Sequence, residues 1–391
     1  MGHGKINRGG VSFEPLETRA MLSSSLGHFS SSAGTEFSAS HFAGKEEESP
    51  IVANLGSITP VKTSTIPANG DLNPYGTAFV PEGFAPGGPL HEGDLLVSNF
   101  NNGQPNNLQG TGTTIVRITP DGKQSVFFQG AQGLGLTTGL GVLKKGFVIV
   151  GNLPTLDGTG ATAQPGSLIV LDKNGNQVAS FTDSSLLGGP WDLAINDEGS
   201  SANVFVSNVL TGTVSRLDLK VTSSGVTLQS ITQIASGYTH RTDPLALLLG
   251  PTGLAFDEHS NKLYVASTAD NAIFSISNAE KRASDAGEGK LVYKDVAHLH
   301  GPLGLVLTSD GNLIAANGDA VNTDATHTSE LTEFTKSGHF LSQFSIDPAI
   351  DAAFGIAIQS DEGHIRFAAV NDNNNTVSIW TLSDHGDDKV I

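Results

Sequence analysis

Five asparagines, Asn99, Asn152, Asn208, Asn317 and Asn371, each close a short apolar run: LLVSN, VIVGN, VFVSN, LIAAN and FAAVN. Side-chain oxygens repeated in this way suit a hard cation such as Ca²⁺, which takes roughly six to eight oxygen ligands. Asparagine at a strand end also has a purely structural use, because it tolerates left-handed φ and hydrogen-bonds its own turn. Asp192, Asp319 and Asp372 are the acids that would complete a calcium site built from two or three of these asparagines. The ligand-binding candidates are therefore the five asparagines, Asp192 and Arg241.

The histidines offer a second metal chemistry, closer to zinc than to calcium. His298 and His300 are spaced i, i+2 and share one face of an extended segment, as metal ligands often do. His240 and His327 would join them in a zinc-like or other transition-metal site. The alternative is four solvent-facing histidines that are near one another by chance. His240 with Asp243 also makes a candidate general-base pair, but no G-x-S-x-G serine accompanies it. With no cysteine in the chain, zinc-thiolate sites, disulfides and thiol nucleophiles are excluded.

These residues need a frame, and the frame repeats. The strings YGTAF, TGLGV, WDLAI, TGLAF, LGLVL and FGIAI mark six copies at Gly76, Gly139, Asp192, Gly253, Gly304 and Gly355. Each copy continues into a second apolar run ending in Asn or Ser, then a third such as TIVRI or AIFSI. Five continue into a fourth run. Runs this short, bounded by turn formers, read as strands. Four strands per unit and a period of about fifty residues indicate an all-β chain folded as a six-bladed β-propeller. The sixth copy lacks its fourth strand, and a segment within Ile51–Pro67 supplies it by pairing with Val377–Trp380, which leaves no open edge. The expected organisation is a disordered extension over residues 1–50 and a propeller over residues 51–391.

GPTGLAF…LYVAS…NAIFSI and GPLGLVL…LIAAN…ELTEF resemble the unit of NHL-type propellers. The resemblance covers roughly Ile51 to Asp384 and implies architecture, not activity. NPYGTAFVPEG and the Gly-rich loops are similar to a group of exported bacterial propellers of unassigned activity. Lactonase-type propellers carry an acidic calcium ligand on an early innermost strand, and NPYGTAFVPEG offers none there. FEPLETRAMLS resembles the N-terminal tag of certain exported bacterial proteins, with Leu16, Glu17, Arg19, Leu22 and Ser23 carrying the match. That likeness implies export to the cell envelope or medium, against the alternative of a flexible cytoplasmic tail.

Lys plus Arg number 21 against 39 Asp plus Glu, a net charge of −18, which argues against nucleic acid and anionic membrane as partners. No apolar run approaches the roughly eighteen residues of a membrane span. Three loops are long, Phe100–Thr113, Leu153–Ser167 and Gly318–Ser329, and all three follow second strands. Such insertions on one face of a repeat array mark its binding surface. The expected function is an exported, monomeric, non-catalytic binding propeller that engages a protein, an envelope polymer or a small molecule through this face. The alternative is a Ca²⁺- or Zn²⁺-dependent hydrolase or lyase of small molecules at the same channel mouth.

Overall fold

The computed structural model describes residues 49–361 and 363–383. The tag-like FEPLETRAMLS and the rest of the proposed extension before Ser49 lie outside these residues. Every innermost strand is too short to stand alone, so each pairs with the next strand in sequence. The result is six antiparallel four-stranded sheets. Blade 1 starts at Leu72–Phe79, blade 2 at Leu136–Leu143, blade 3 at Pro190–Asp197, blade 4 at Pro251–Asp257, blade 5 at Pro302–Leu307 and blade 6 at Ala353–Asp361. Each innermost strand packs against that of the next blade, and blade 6 against blade 1, so the ring is closed. The chain is a six-bladed β-propeller.

Val61–Ser64 is the outermost strand of blade 6, in antiparallel register with the third strand through Val61–Ile379 and Thr63–Val377. Just before it, Ile51–Asn54 forms one helical turn. Its Ile51 and Val52, with Leu55, are buried against blades 5 and 6. The Val52 amide donates to the Glu333 carboxylate at 2.8 Å. Apolar clusters fill the wedges between neighbouring blades, as with Val206 and Leu217 of blade 3 against Ile149 and Val170 of blade 2.

The landmark glycines have a physical reason. Each innermost strand carries a bulge at its start, between Pro190 and Leu193 in blade 3 and between Pro251 and Leu254 in blade 4. At this bulge the backbones of adjacent blades approach too closely for a side chain. A Cβ on Gly304 would lie 2.6 Å from the Phe354 carbonyl oxygen, and one on Gly355 would overlap the Tyr75 carbonyl oxygen. Asp192 departs from the glycine pattern in blade 3. Its carboxylate accepts from its neighbour's amide, Leu193 N, at 2.8 Å and from Leu254 N of blade 4 at 3.2 Å.

One element was not legible in the sequence. The segment SGYTHRTDPLALLLGPTG reads as an interblade loop, yet it holds a hairpin pairing Arg241–Asp243 with Leu247–Leu249. Burial of Leu247, Leu248 and Leu249 drives it, because three consecutive leucines fold inward over the channel.

Candidate functional site

The channel is divided in two by an aromatic layer. Tyr75, Trp191 and Phe354 each immediately precede the landmark residue of their blade, so the bulge turns their rings onto the axis. Tyr75 stacks on Phe354 with centroids 5.1 Å apart and meets Trp191 edge-on at 5.8 Å. Phe100 adds a further edge-on contact to Trp191 at 5.6 Å. Leu247, Leu248 and Leu303 complete this buried cluster. Below the layer lies a cavity of about 540 Å³ that contains Asp192. Above it, under the loops, lies a mouth cavity of about 330 Å³ with no lining residue in common.

Four aspartates line the mouth cavity, Asp243, Asp319, Asp351 and Asp372, and no lysine, arginine or histidine does. Asp372 follows the second strand of blade 6, and its amide donates to Ala352 O at 3.0 Å. Burial pushes its carboxyl up to about 7, with repulsion from Asp351 adding to the effect. Asp351, at φ 65° in the loop entering blade 6, is raised by burial and then by Asp243. Asp319 is only 2 % exposed. Its Oδ2 accepts from Ser329 N at 2.8 Å and Asp351 N at 3.3 Å, while its buried Oδ1 has no partner. Burial raises this carboxyl too, against the opposing pull of those amides and of His300. The Tyr75 hydroxyl is raised well above its ordinary value, chiefly by burial, with Asp192 and Asp372 adding to the rise against the Trp191 hydrogen bond. A carboxyl pushed up to about 7 in a concave site, as Asp372 is, is equipped for proton transfer.

The five asparagines do not line this cavity; each is buried and committed to the loop that enters its own blade. Asn99 Nδ2 donates to Thr65 O, Asn152 to Leu134 O, Asn208 to Leu186 O, Asn317 to His298 O and Asn371 to Ile346 O, at 2.8–3.4 Å. The sequence pattern thus marks a stitch between strand end and interblade loop. Asp192 stands below the aromatic layer, where burial pushes its carboxyl up to about 7 against the two amides it accepts from. Of the acids singled out in sequence, the structure brings Asp243, Asp319 and Asp372 together at the mouth and leaves Asp192 on the other side.

Arg241 is exposed on the hairpin and does not line the cavity. His298, His300 and His327 all lie near enough to Glu330 to act on its carboxyl, but they form no metal-holding group among the described residues. His298 stacks on Phe340 at 3.7 Å and pairs with Asp295 at 2.6 Å. His327 pairs with Asp324 at 2.9 Å. His240 is exposed, with Nδ1 3.1 Å from Tyr238 O. His300 is buried, with Nδ1 2.6 Å from Asn322 O. Among the described residues, no group of three or more His, Asp or Glu side chains could hold a metal ion. Asp319 Oδ2 and Asp243 Oδ1 already accept backbone amides, so the residues as placed do not fit a calcium or zinc centre.

Neither a protein-family model nor a curated protein matches this sequence. Solved structures do share its architecture. A gluconolactonase from Xanthomonas campestris is similar over 81 % of this chain and 87 % of its own, at 14 % identity and a TM-score of 0.50. A luciferin-regenerating enzyme is similar over 84 % and 96 %, at 11 % identity and TM-score 0.49. The calcium-binding protein regucalcin from Agrobacterium tumefaciens is similar over 81 % and 94 %, at 12 % identity and TM-score 0.48. At these identities the likeness is one of fold.

The expectation of a non-catalytic binding propeller is corrected at this point. The propellers that share the fold include a gluconolactonase. Two of the three long loops expected to form a docking surface, Phe100–Thr113 and Gly318–Ser329, instead line a cavity of small-molecule size. Asp351, Tyr75 and Phe354 are site residues that the sequence reading did not single out. The available signal was the aromatic residue before the landmark in YG, WD and FG.

Proposed function

We propose that this chain is a small-molecule hydrolase acting on an ester or lactone in the mouth cavity. The carrying observation is the Asp372 carboxyl, pushed up to about 7 in a cavity of about 330 Å³ whose floor is aromatic. A carboxylate with that affinity for protons accepts one from water attacking a carbonyl and returns it to the leaving oxygen. Asp351 and Asp319, also raised by burial, line the same cavity and orient the substrate. Tyr75, Trp191 and Phe354 exclude bulk water from below and strengthen each of these interactions. The ester or lactone class is chosen because a gluconolactonase shares the fold.

Export rests on the likeness carried by Leu16, Glu17, Arg19, Leu22 and Ser23, and the NHL-type unit on GPTGLAF and GPLGLVL. Among the described residues, no helix is long and apolar enough to cross a membrane.

The test is a panel of lactones and esters assayed with the native chain and with Asp372→Asn. The expected result is turnover that falls at least about 100-fold in the variant. Turnover unchanged in Asp372→Asn, or none with any member of the panel, would remove this reading.

A further inference from the structure

The mouth cavity combines four carboxyl side chains with aromatic and aliphatic walls and lacks any cationic side chain. Three of those carboxyls, Asp319, Asp351 and Asp372, are held above the usual carboxylate range, chiefly by burial. Asp319 Oδ1 is buried in the wall with no hydrogen-bond partner, although its residue is only 2 % exposed. It is one of several such atoms among the described residues, Asn73 Oδ1 of the same lining among them, and a buried acceptor without a donor is costly. Their counterpart must be a donor, and a positively charged one would also relieve the clustered carboxylates. The aromatic floor of Tyr75, Trp191 and Phe354 suits a ligand with an apolar surface.

We infer that the cavity recognises a small organic cation, an ammonium group on an apolar body, through Asp319, Asp351, Asp372 and the rings of Tyr75, Trp191 and Phe354. A bare divalent ion fits less well. No three acidic or histidine side chains among the described residues converge to hold one, and Leu245, Leu248 and Ile350 line the same space. The chain's net charge of −18 draws cations towards the surface from a distance. This inference rests on the proposed hydrolase only in placing the substrate in the mouth cavity, and it names the class of substrate expected there.

Binding can be read without turnover. The chain has two tryptophans, so Trp380→Phe leaves Trp191, in the floor, as the sole reporter. Choline is titrated against this variant and, by calorimetry, against the native chain. Its neutral isostere 3,3-dimethylbutan-1-ol and CaCl₂ are the comparison ligands. Saturable quenching or shift of Trp191 emission by choline is expected, with the neutral alcohol at least tenfold weaker. Affinity for choline should fall at least tenfold in Asp372→Asn. It should also rise severalfold from pH 6 to pH 8, because choline keeps its charge while Asp372, facing Asp351 and lying near Tyr75, releases its proton. Equal affinity for the alcohol and choline, competition by Ca²⁺ for the same quench, or no heat and no emission change with choline would overturn the inference. Absence of choline binding with Asp372-dependent hydrolysis intact would sink this inference alone; choline binding without any turnover would sink the hydrolase alone.

Discussion

The indole Nε1 of Trp191 donates to the hydroxyl of Tyr75 at 3.2 Å, joining blade 3 to blade 1 across the channel. With Phe354 stacked on the far side of Tyr75, this contact makes a lid between two cavities and a floor for the upper one. The two residues are far apart in sequence and meet only because the ring closes. The partition of the channel is therefore a product of the whole fold.

Tyr75→Phe removes one buried hydrogen bond and keeps the ring, so a loss of about 1 kcal/mol is expected. Trp191→Ala opens the partition and should cost about 3–5 kcal/mol. Urea unfolding of both variants checks the ordering. Equal losses would show that the hydrogen bond, and not the packed indole, holds the partition.

Gly355→Ala should be among the most damaging conservative changes in the chain. Its Cβ would overlap the Tyr75 carbonyl oxygen at the join between blades 6 and 1, where backbone has no room to move. A loss of about 3 kcal/mol or more is expected. Gly225→Ala, with nothing within 4 Å of its Cβ, is the control. A melting temperature for Gly355→Ala equal to that of the control would contradict the close-approach account.

Asn317→Ala cuts the stitch to His298 O and releases the bonds with Thr332 and His300 N. The expected loss is about 2–3 kcal/mol, since partners are left buried and unsatisfied. If the asparagine instead served a bound cation, the loss would appear only in the presence of added calcium. Thermal melts with and without CaCl₂ distinguish the two.

Asp192 carries a pH signature. The folded chain holds this proton up to about pH 7, whereas an unfolded Asp releases it near about 4. Across that window the folded state binds more protons, so stability falls as pH rises. Asp192→Asn loses one of the two bonds accepted from Leu193 N and Leu254 N at every pH, but relative to the parent it should gain stability from pH 5 to pH 8 by on the order of 1–2 kcal/mol. Parallel stability curves for variant and parent from pH 5 to pH 8 would show that Asp192 ionises normally.

The repeat strings made the ring legible before any coordinate, because the bulge at Gly253, Gly304 and Gly355 demands the same small residue in blade after blade. The closing strand near Val61 was legible for the complementary reason that blade 6 runs out of chain. The asparagines were visible too, but their partners were not: a strand-end Asn looks the same whether its amide meets its own turn, a cation or an interblade carbonyl. The carboxyl group at the mouth was the least visible feature. Asp351 and Asp372 lie on a loop and a strand end that the pairing of Ala353 with Asn371 brings side by side, a register set by the hairpin and not by either residue's own neighbours in sequence. The Leu247–Leu249 hairpin hid for a related reason, since its turn includes Leu247 at φ 61°, a conformation leucine adopts only where burial compels it.

The titration of Asp372 is the most direct check on the mouth cavity as a site of proton transfer. Carboxyl ¹³C chemical shifts of aspartate-labelled chain, assigned by comparison with Asp372→Asn, give its midpoint in the native fold. A midpoint near 7 is predicted, shifting downward in Asp351→Asn as the neighbouring charge is removed. A midpoint in the ordinary aspartate range, unaffected by Asp351→Asn, would contradict it.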